Sequence, residues 1–262
     1  MARSPLGIIG GSGLYAIYDF EEIRLSTPYG EPSGPYVKGE LKGEEVVFLA
    51  RHGTEHSYPP HKVNYRANIH GFYSLGVREI LAINAVGGIR DGLKAGDLLV
   101  PNQAVDLTWG RESSFYGCNG EAVAHIDLTD PFCPRLRQEL LSLGAKAGIE
   151  LIDGGTYVCT QGPRLETAGE IALYKSWGMD VVGMTLFPEV ALARERGICY
   201  VTVTIVANLA AGISPEPLTV DEVKEAAQQA EERIKRLIEA VALGRSGERD
   251  CDCESAIEKA FF

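Results

Sequence analysis

Five short stretches carry side chains suited to gripping an anion. Leu6–Ile9 is a short apolar run that breaks into Gly10-Gly11-Ser12-Gly13. Glycines let successive backbone N–H groups converge on one point, and Ser12 adds a hydroxyl. The glycines alone suit an anion loop and a plain tight turn equally. Further on come Arg51-His52-Gly53, Asn84-Ala85-Val86-Gly87, Met184-Thr185 and Asn208. Arg51 has the fork geometry for bidentate phosphate binding, Thr185 a hydroxyl, and Asn84-Ala85 backbone donors. Together with Ser12 they would make a phosphate pocket of neutral donors and one or two cations.

Three better-known glycine loops do not fit. A P-loop requires Lys-Ser/Thr after its last glycine, where Leu14-Tyr15 stand. A dinucleotide fingerprint tolerates Ala16 at its third position, but lacks a convincing helix and acidic residue afterwards. A nucleophile elbow requires glycine two residues either side of Ser12; Gly10 fits and Leu14 does not. Free or substrate phosphate is therefore the expected anion.

These stretches must be positioned by a scaffold, and the chain supplies one. Strands are expected at Leu6–Ile9, Glu45–Leu49, Glu79–Asn84, Leu98–Asp106, Gly155–Cys159, Val181–Met184 and Cys199–Val206. Helices are expected at Asn64–Leu75, Pro134–Ala147, Thr167–Ser176, Pro188–Glu195 and Thr219–Ala242. Alternating strands and helices give an α/β fold with a largely parallel, covered sheet. Each anion-suited stretch then follows the C-terminal end of a strand, where such sheets bind ligands. The last helix starts with a capping box, Thr219 and Glu222, and keeps Val220, Val223, Ala227, Ala230, Ile234, Leu237 and Val241 on one face.

Composition narrows the class. With 262 residues, 45% of them hydrophobic, the chain can bury a sizeable core. A net charge of −11 argues against general nucleic-acid binding, so an anion site must be locally favourable through arginine and backbone N–H groups. No secretory leader is read at the start, and Ile198–Ile213 is too polar and short for a membrane span; a cytoplasmic location without membrane association is expected. His52 and His56 lie four apart with no third ligand, His61 and His70 read as structural, and no Cys-x-x-Cys pair occurs, so no metal is expected. Of six cysteines, Cys118, Cys133, Cys159 and Cys199 read as scattered buried thiols. Cys251 and Cys253 read as exposed reduced thiols of a polar, loosely held tail, with a stabilising or redox pair as the alternative. The expected division is a domain at 1–243 and a tail at 244–262.

The motifs together resemble the trimeric purine nucleoside phosphorylase and methylthioadenosine phosphorylase family, from Leu6 to about Ala242. The likeness rests on Gly10-Gly11-Ser12-Gly13-Leu14, Arg51-His52-Gly53, Tyr65-Arg66-Ala67-Asn68-Ile69, Asn84-Ala85-Val86-Gly87, Gly155-Thr156-Tyr157, Gly162-Pro163-Arg164, and Gly183-Met184-Thr185 with Pro188-Glu189-Val190. It implies one α/β domain with a central mixed, mainly parallel sheet flanked by helices. It also implies a trimer or dimer of trimers, phosphorolysis of a purine nucleoside, and no cofactor beyond phosphate as co-substrate. By resemblance, Ser12, Arg51, His52, Ala85 and Thr185 contact phosphate. Met184 lies beneath the ribose, and His125 reaches a neighbouring subunit's site near the 5′ end of the sugar.

The base pocket separates the family's members. Relatives acting on 6-aminopurines resemble one another in carrying Asp followed by Tyr-Asp after the late strand. Here Asn208, Leu209 and Ala210 stand there. An amide NH₂ can donate to N7 or a 6-oxo oxygen, and Glu166 matches the glutamate of 6-oxopurine relatives, which accepts from N1–H. Asn208 and Glu166 are therefore the expected catalytic pair, unless Glu166 merely caps the helix it precedes or points to solvent. Leu165 replaces the phenylalanine that many relatives hold against the base. Val220 stands where nucleoside-specific relatives have a histidine, and suits a 5′-methylthio group better than a hydroxyl. The expected activity is 6-oxopurine nucleoside phosphorolysis. The alternatives are methylthioinosine or methylthioadenosine as substrate, hydrolysis without phosphate, or nucleoside binding without turnover.

Overall fold

A computed structural model describes residues 3–11, 20–117, 122–213 and 220–261, with the side chains of 220–224, 226 and 227 left out. Three largely buried runs form its centre: β1 (Leu6–Gly10), β5 (Glu79–Gly88) and β11 (Cys199–Leu209). β5 lies between the other two and parallel to both. Successive side chains on a strand point to opposite faces, and the packing follows that period. Ile80 and Ala82 join Ile9, Leu49 and Tyr200 on one face; Leu81 and Ile83 join Ile8, Phe48, Val201 and Val203 on the other.

Helices cover both faces, as a sheet apolar on both sides requires. α1 (Tyr65–Ser74) and α4 (Leu186–Glu195) bring Ile69, Phe72, Leu186 and Val190 to the first face. α2 (Pro134–Lys146) and α5 (Val220–Gly244) bring Leu136, Leu140, Ala230, Ile234, Leu237 and Val241 to the second. Each such buried side chain contributes about 1.5–3 kcal/mol of transfer free energy. α3 (Ala168–Ser176) covers the far end, where Ile171 and Tyr174 pack on Val158 and Val182. The Thr219 capping box lies outside the described residues.

The sheet is mixed and mostly parallel. It runs β2 (Phe20–Ile23), β3 (Tyr36–Leu41), β4 (Glu44–Ala50), β1, β5, β10 (Val181–Gly183), β9 (Thr156–Cys159), β7 (Gln103–Asp106), and from β5 it branches through β11 and β6 (Leu98–Val100) to β8 (Ile152–Asp153). The single strand expected over Leu98–Asp106 is two. Pro101 has no N–H to give a ladder, and across it β6 pairs with β11 and β8 while β7 pairs with β9.

The tail is not loose. Arg245 is 1% exposed, ion-pairs with buried Glu79, and donates to the Ser4 carbonyl at 2.7 Å. Arg135 holds the other oxygen of Glu79. Cys253 is 1% exposed, and Ala124 pairs with Phe261 in an isolated bridge. A sequence shows a polar tail; it does not show that a buried carboxylate waits for its arginine.

Candidate active site

β5 changes partners along its length, and the change opens the site. Leu6–Ile9 pair with Glu79–Ala82; Val182 and Val181 pair antiparallel with Gly87 and Gly88. Between these ladders, Ile83 to Val86 have no strand on that edge among the described residues. Strands diverging in this way leave a crevice beyond their ends. Ala85 is exposed although its neighbours Asn84 and Val86 are buried, so it faces that crevice.

Arg51 follows β4 at the crevice wall, but its fork is occupied. Nε donates to Glu189 Oε2 at 2.7 Å and Nη2 to Glu189 Oε1 at 2.9 Å. Nη1 donates to the Ile83 carbonyl at 3.0 Å, and Tyr200 donates to Glu189 Oε1 at 2.6 Å. The guanidinium is 2% exposed. Burial opposes its charge, and Glu189 more than offsets that, holding its pKa above the ordinary value. The expected bidentate grip on phosphate is therefore corrected: the two-pronged face belongs to Glu189. The Nη1 bond to Ile83 secures β5 where its strand neighbour is missing.

A chain of hydrogen bonds sets the neutral donors. Thr202 Oγ1 donates to Asn84 Oδ1 at 2.6 Å, and Asn84 Nδ2 donates to Thr185 Oγ1 at 2.7 Å. With its oxygen accepting from Asn84, the Thr185 hydroxyl hydrogen is left to point elsewhere. Thr185 precedes α4 and makes no side-chain cap bond; Phe187 is extended (φ −102°, ψ 138°), so the regular turns of α4 begin beyond it. The Asn84 side chain is buried and used internally, where it orients Thr185, apart from the backbone donors expected at Asn84-Ala85.

His52 is fixed as a neutral acceptor. Nδ1 donates to the Tyr58 carbonyl at 2.8 Å, which leaves the lone pair on Nε2. Its ring stacks on His56 at 4.5 Å. Burial and then the neighbouring Arg51 push its pKa down to about 4. Ser12 lies outside the described residues.

On the other side of the crevice, a β-bulge re-aims Asn208. The register of β11 slips between Val206 and Asn208, which brings Asn208 opposite Gly87. Its amide has no partner among the described residues. Val182 flanks Gly87 on the opposite side, so Asn208 and β10 are two strand spacings apart, about 9.6 Å. Beyond β10, Thr160 follows β9 and donates to Glu166 Oε1 at 2.6 Å. The capping box of α3 is Thr167 with Glu170, so Glu166 is not the cap. Gly212 approaches Ala168 so closely that a Cβ there would meet it at 2.8 Å. This contact ties the β11 end to the Glu166 loop.

The remaining expected residues divide. Met184 is half-buried under Gly162, whose φ is +61° and where a Cβ would come 2.5 Å from the Met184 sulfur. Leu165 is 47% exposed and Leu209 half-buried. Ala210 is corrected to a core residue: it is 3% exposed and packs with Ile89, Val158, Ile171 and Val182. His125 donates its N–H to the Ala260 carbonyl at 2.8 Å, so the tail holds its segment. The Val220 side chain lies outside the described ones.

The family model described as Phosphorylase superfamily matches residues 5–242. The chain belongs to the phosphorylase superfamily. It is 47% identical over 259 residues to a probable S-methyl-5′-thioinosine phosphorylase of Thermodesulfovibrio yellowstonii, covering 98% of this chain and 97% of that one. It is 48% identical over 257 residues to a probable 6-oxopurine nucleoside phosphorylase of Dictyoglomus turgidum, covering 97% of each. Its fold matches methylthioadenosine phosphorylase from Schistosoma mansoni in complex with tubercidin, with TM-score 0.91, 34% identity, and coverage of 98% and 96%.

Arg111 is the residue of this phosphorylase chain that sequence reasoning missed. It donates to the carbonyls of Met184 at 2.9 Å, Phe187 at 2.6 Å and Gln161 at 2.8 Å, and its Nε donates to Gln161 Oε1 at 3.2 Å. One side chain thus joins the β9 loop to the β10–α4 junction. Trp109-Gly110-Arg111 carries no motif, and a lone loop arginine reads as a surface charge. Only the convergence of four carbonyls from two distant segments, Thr160 and Gln161 with Met184 and Phe187, reveals it.

Proposed function

We propose that this chain is a purine nucleoside phosphorylase that cleaves 6-oxopurine nucleosides with inorganic phosphate, releasing the free base and ribose 1-phosphate or its 5-methylthio analogue. Two polar groups support this reading: Asn208 on the bulge, whose amide has no partner among the described residues, and Glu166, with one oxygen held by Thr160. A base between them receives a donor at N7 or O6 from the amide. It gives its N1–H to the remaining Glu166 oxygen. Hypoxanthine and guanine have that N–H; adenine presents a lone pair there instead. The names of the Thermodesulfovibrio and Dictyoglomus relatives agree with a 6-oxopurine substrate.

Phosphate is held by the Thr185 hydroxyl, His52 Nε2, the backbone at Ala85 and the Ser12 loop. His52 accepts a phosphate O–H. Arg51, neutralised by Glu189, shapes the wall. The C1′–N9 bond breaks with its electrons passing to the base, where Asn208 and Glu166 stabilise the growing charge. The cationic sugar lies over the polarisable Met184 sulfur, and a phosphate oxygen bonds C1′. No covalent enzyme intermediate is required. Val220 suits a 5′-methylthio substituent, so methylthioinosine belongs beside inosine and guanosine as a substrate. The assembly is a homotrimer or hexamer, with His125 serving a neighbouring subunit's site.

The test is Asn208→Asp. Wild-type enzyme is expected to release hypoxanthine only with phosphate present, and the variant to shift preference toward 6-aminopurine nucleosides. Release in phosphate-free buffer would identify a hydrolase. An unchanged preference in Asn208→Asp would remove the base-pocket argument.

A further inference from the structure

Four cysteines from three distant segments meet on the face opposite α4. Cys133 is the N-cap of α2, Cys199 opens β11, and Cys251 and Cys253 lie in the tail. Their sulfurs all lie within 4.8 Å of one another, and Cys199 Sγ is 3.4 Å from Cys251 Sγ. Cys133, Cys199 and Cys253 are buried and Cys251 is half-buried. All four are free thiols.

We propose that these four thiolates bind one zinc ion, which staples the C-terminal tail to the body of the enzyme. Four sulfurs about 2.3 Å from a tetrahedral ion stand about 3.8 Å apart, the scale of this cluster. Soft thiolates in that geometry select zinc over hard cations, and four protein ligands leave no open position, which makes the site structural. Binding releases four thiol protons to solvent and leaves a centre of charge −2. Two cations adjoin it: Arg135 Nη2 donates to Cys199 Sγ at 3.7 Å, and the Arg249 guanidinium lies near the same sulfur. Donors of this kind steady thiolate ligands and offset their charge.

The sequence conceals the site because no two ligands have zinc-motif spacing. Cys251-Asp252-Cys253 has one residue between its cysteines, and the others are 52 or more residues away from it in the chain. The consequence reaches past the metal. The tail that the zinc would hold continues to Ala260 and Phe261, which bind the backbone at His125 and Ala124.

Metal analysis and native mass spectrometry of the purified full-length enzyme test this. One zinc per chain is expected, with cobalt substitution giving the visible bands of a tetrahedral tetrathiolate. Cys251→Ser/Cys253→Ser should lose the zinc while staying folded by circular dichroism, and become open to trypsin at Arg245 and Arg249. A second preparation, refolded with reductant and zinc chloride, guards against metal lost in purification. The proposal is overturned if both preparations lack zinc, whether the cysteines are free or show the mass deficit of two disulfides. It is equally overturned if iron occupies the site or the double variant keeps its zinc.

Discussion

At His52 the Tyr58 carbonyl takes the Nδ1 hydrogen, and burial beside Arg51 removes the second proton. The folded value is about 4 against an ordinary 6.5. Between those values the unfolded chain binds more protons than the folded one, so stability rises with pH. This contribution is complete above about pH 6.5 and is lost as pH falls toward 4. Urea midpoints measured across that window should therefore slope upward with pH, and less steeply in His52→Asn. An identical slope in the variant would show that His52 is not the titrating group. The residue types around the crevice were legible in the sequence, but their partners were not. Arg51 read as a phosphate ligand because Glu189 stands 138 residues away. Glu166 read as a base contact, a cap or a solvent-facing side chain, and the Thr167–Glu170 capping box removes the cap.

Among elements, the decisive event is β5 leaving β1 and joining β10. β1, β5 and β11 were legible as short runs rich in Ile, Val, Leu and Ala, and the helices over them by period. The divergence was not, because strand order is set by contacts between segments far apart in the chain. The Arg51–Glu189 pair sits at that divergence, binding the end of β4 to α4 and to the Ile83 carbonyl. Both partners are buried, so removing one charge strands the other. Glu189→Gln should therefore cost about 3–5 kcal/mol of stability, read from denaturant unfolding. A change under about 1 kcal/mol, the range of exposed pairs, would mean the pair is not closed in solution.

For the whole molecule, a net charge of −11 must coexist with an anionic substrate. With Arg51 neutralised by Glu189, the phosphate proposed for this site would meet hydroxyls and backbone N–H groups, which act at short range. No described helix is long and apolar enough to cross a membrane. The tail packs into the body through Arg245 and the cysteine cluster, and the sequence pattern of residues 244–262 gave no sign of it. The central claim is that Glu166 and Asn208 select a 6-oxopurine. A site built to bond a substrate N–H rejects the analogue lacking it by about 10⁴-fold or more. The most direct measurement compares kcat/KM at saturating phosphate for methylthioinosine and inosine with that for methylthioadenosine and adenosine. The account predicts the 6-oxopurines preferred by about 10⁴-fold; equal rates, or preference for the 6-aminopurines, would contradict it.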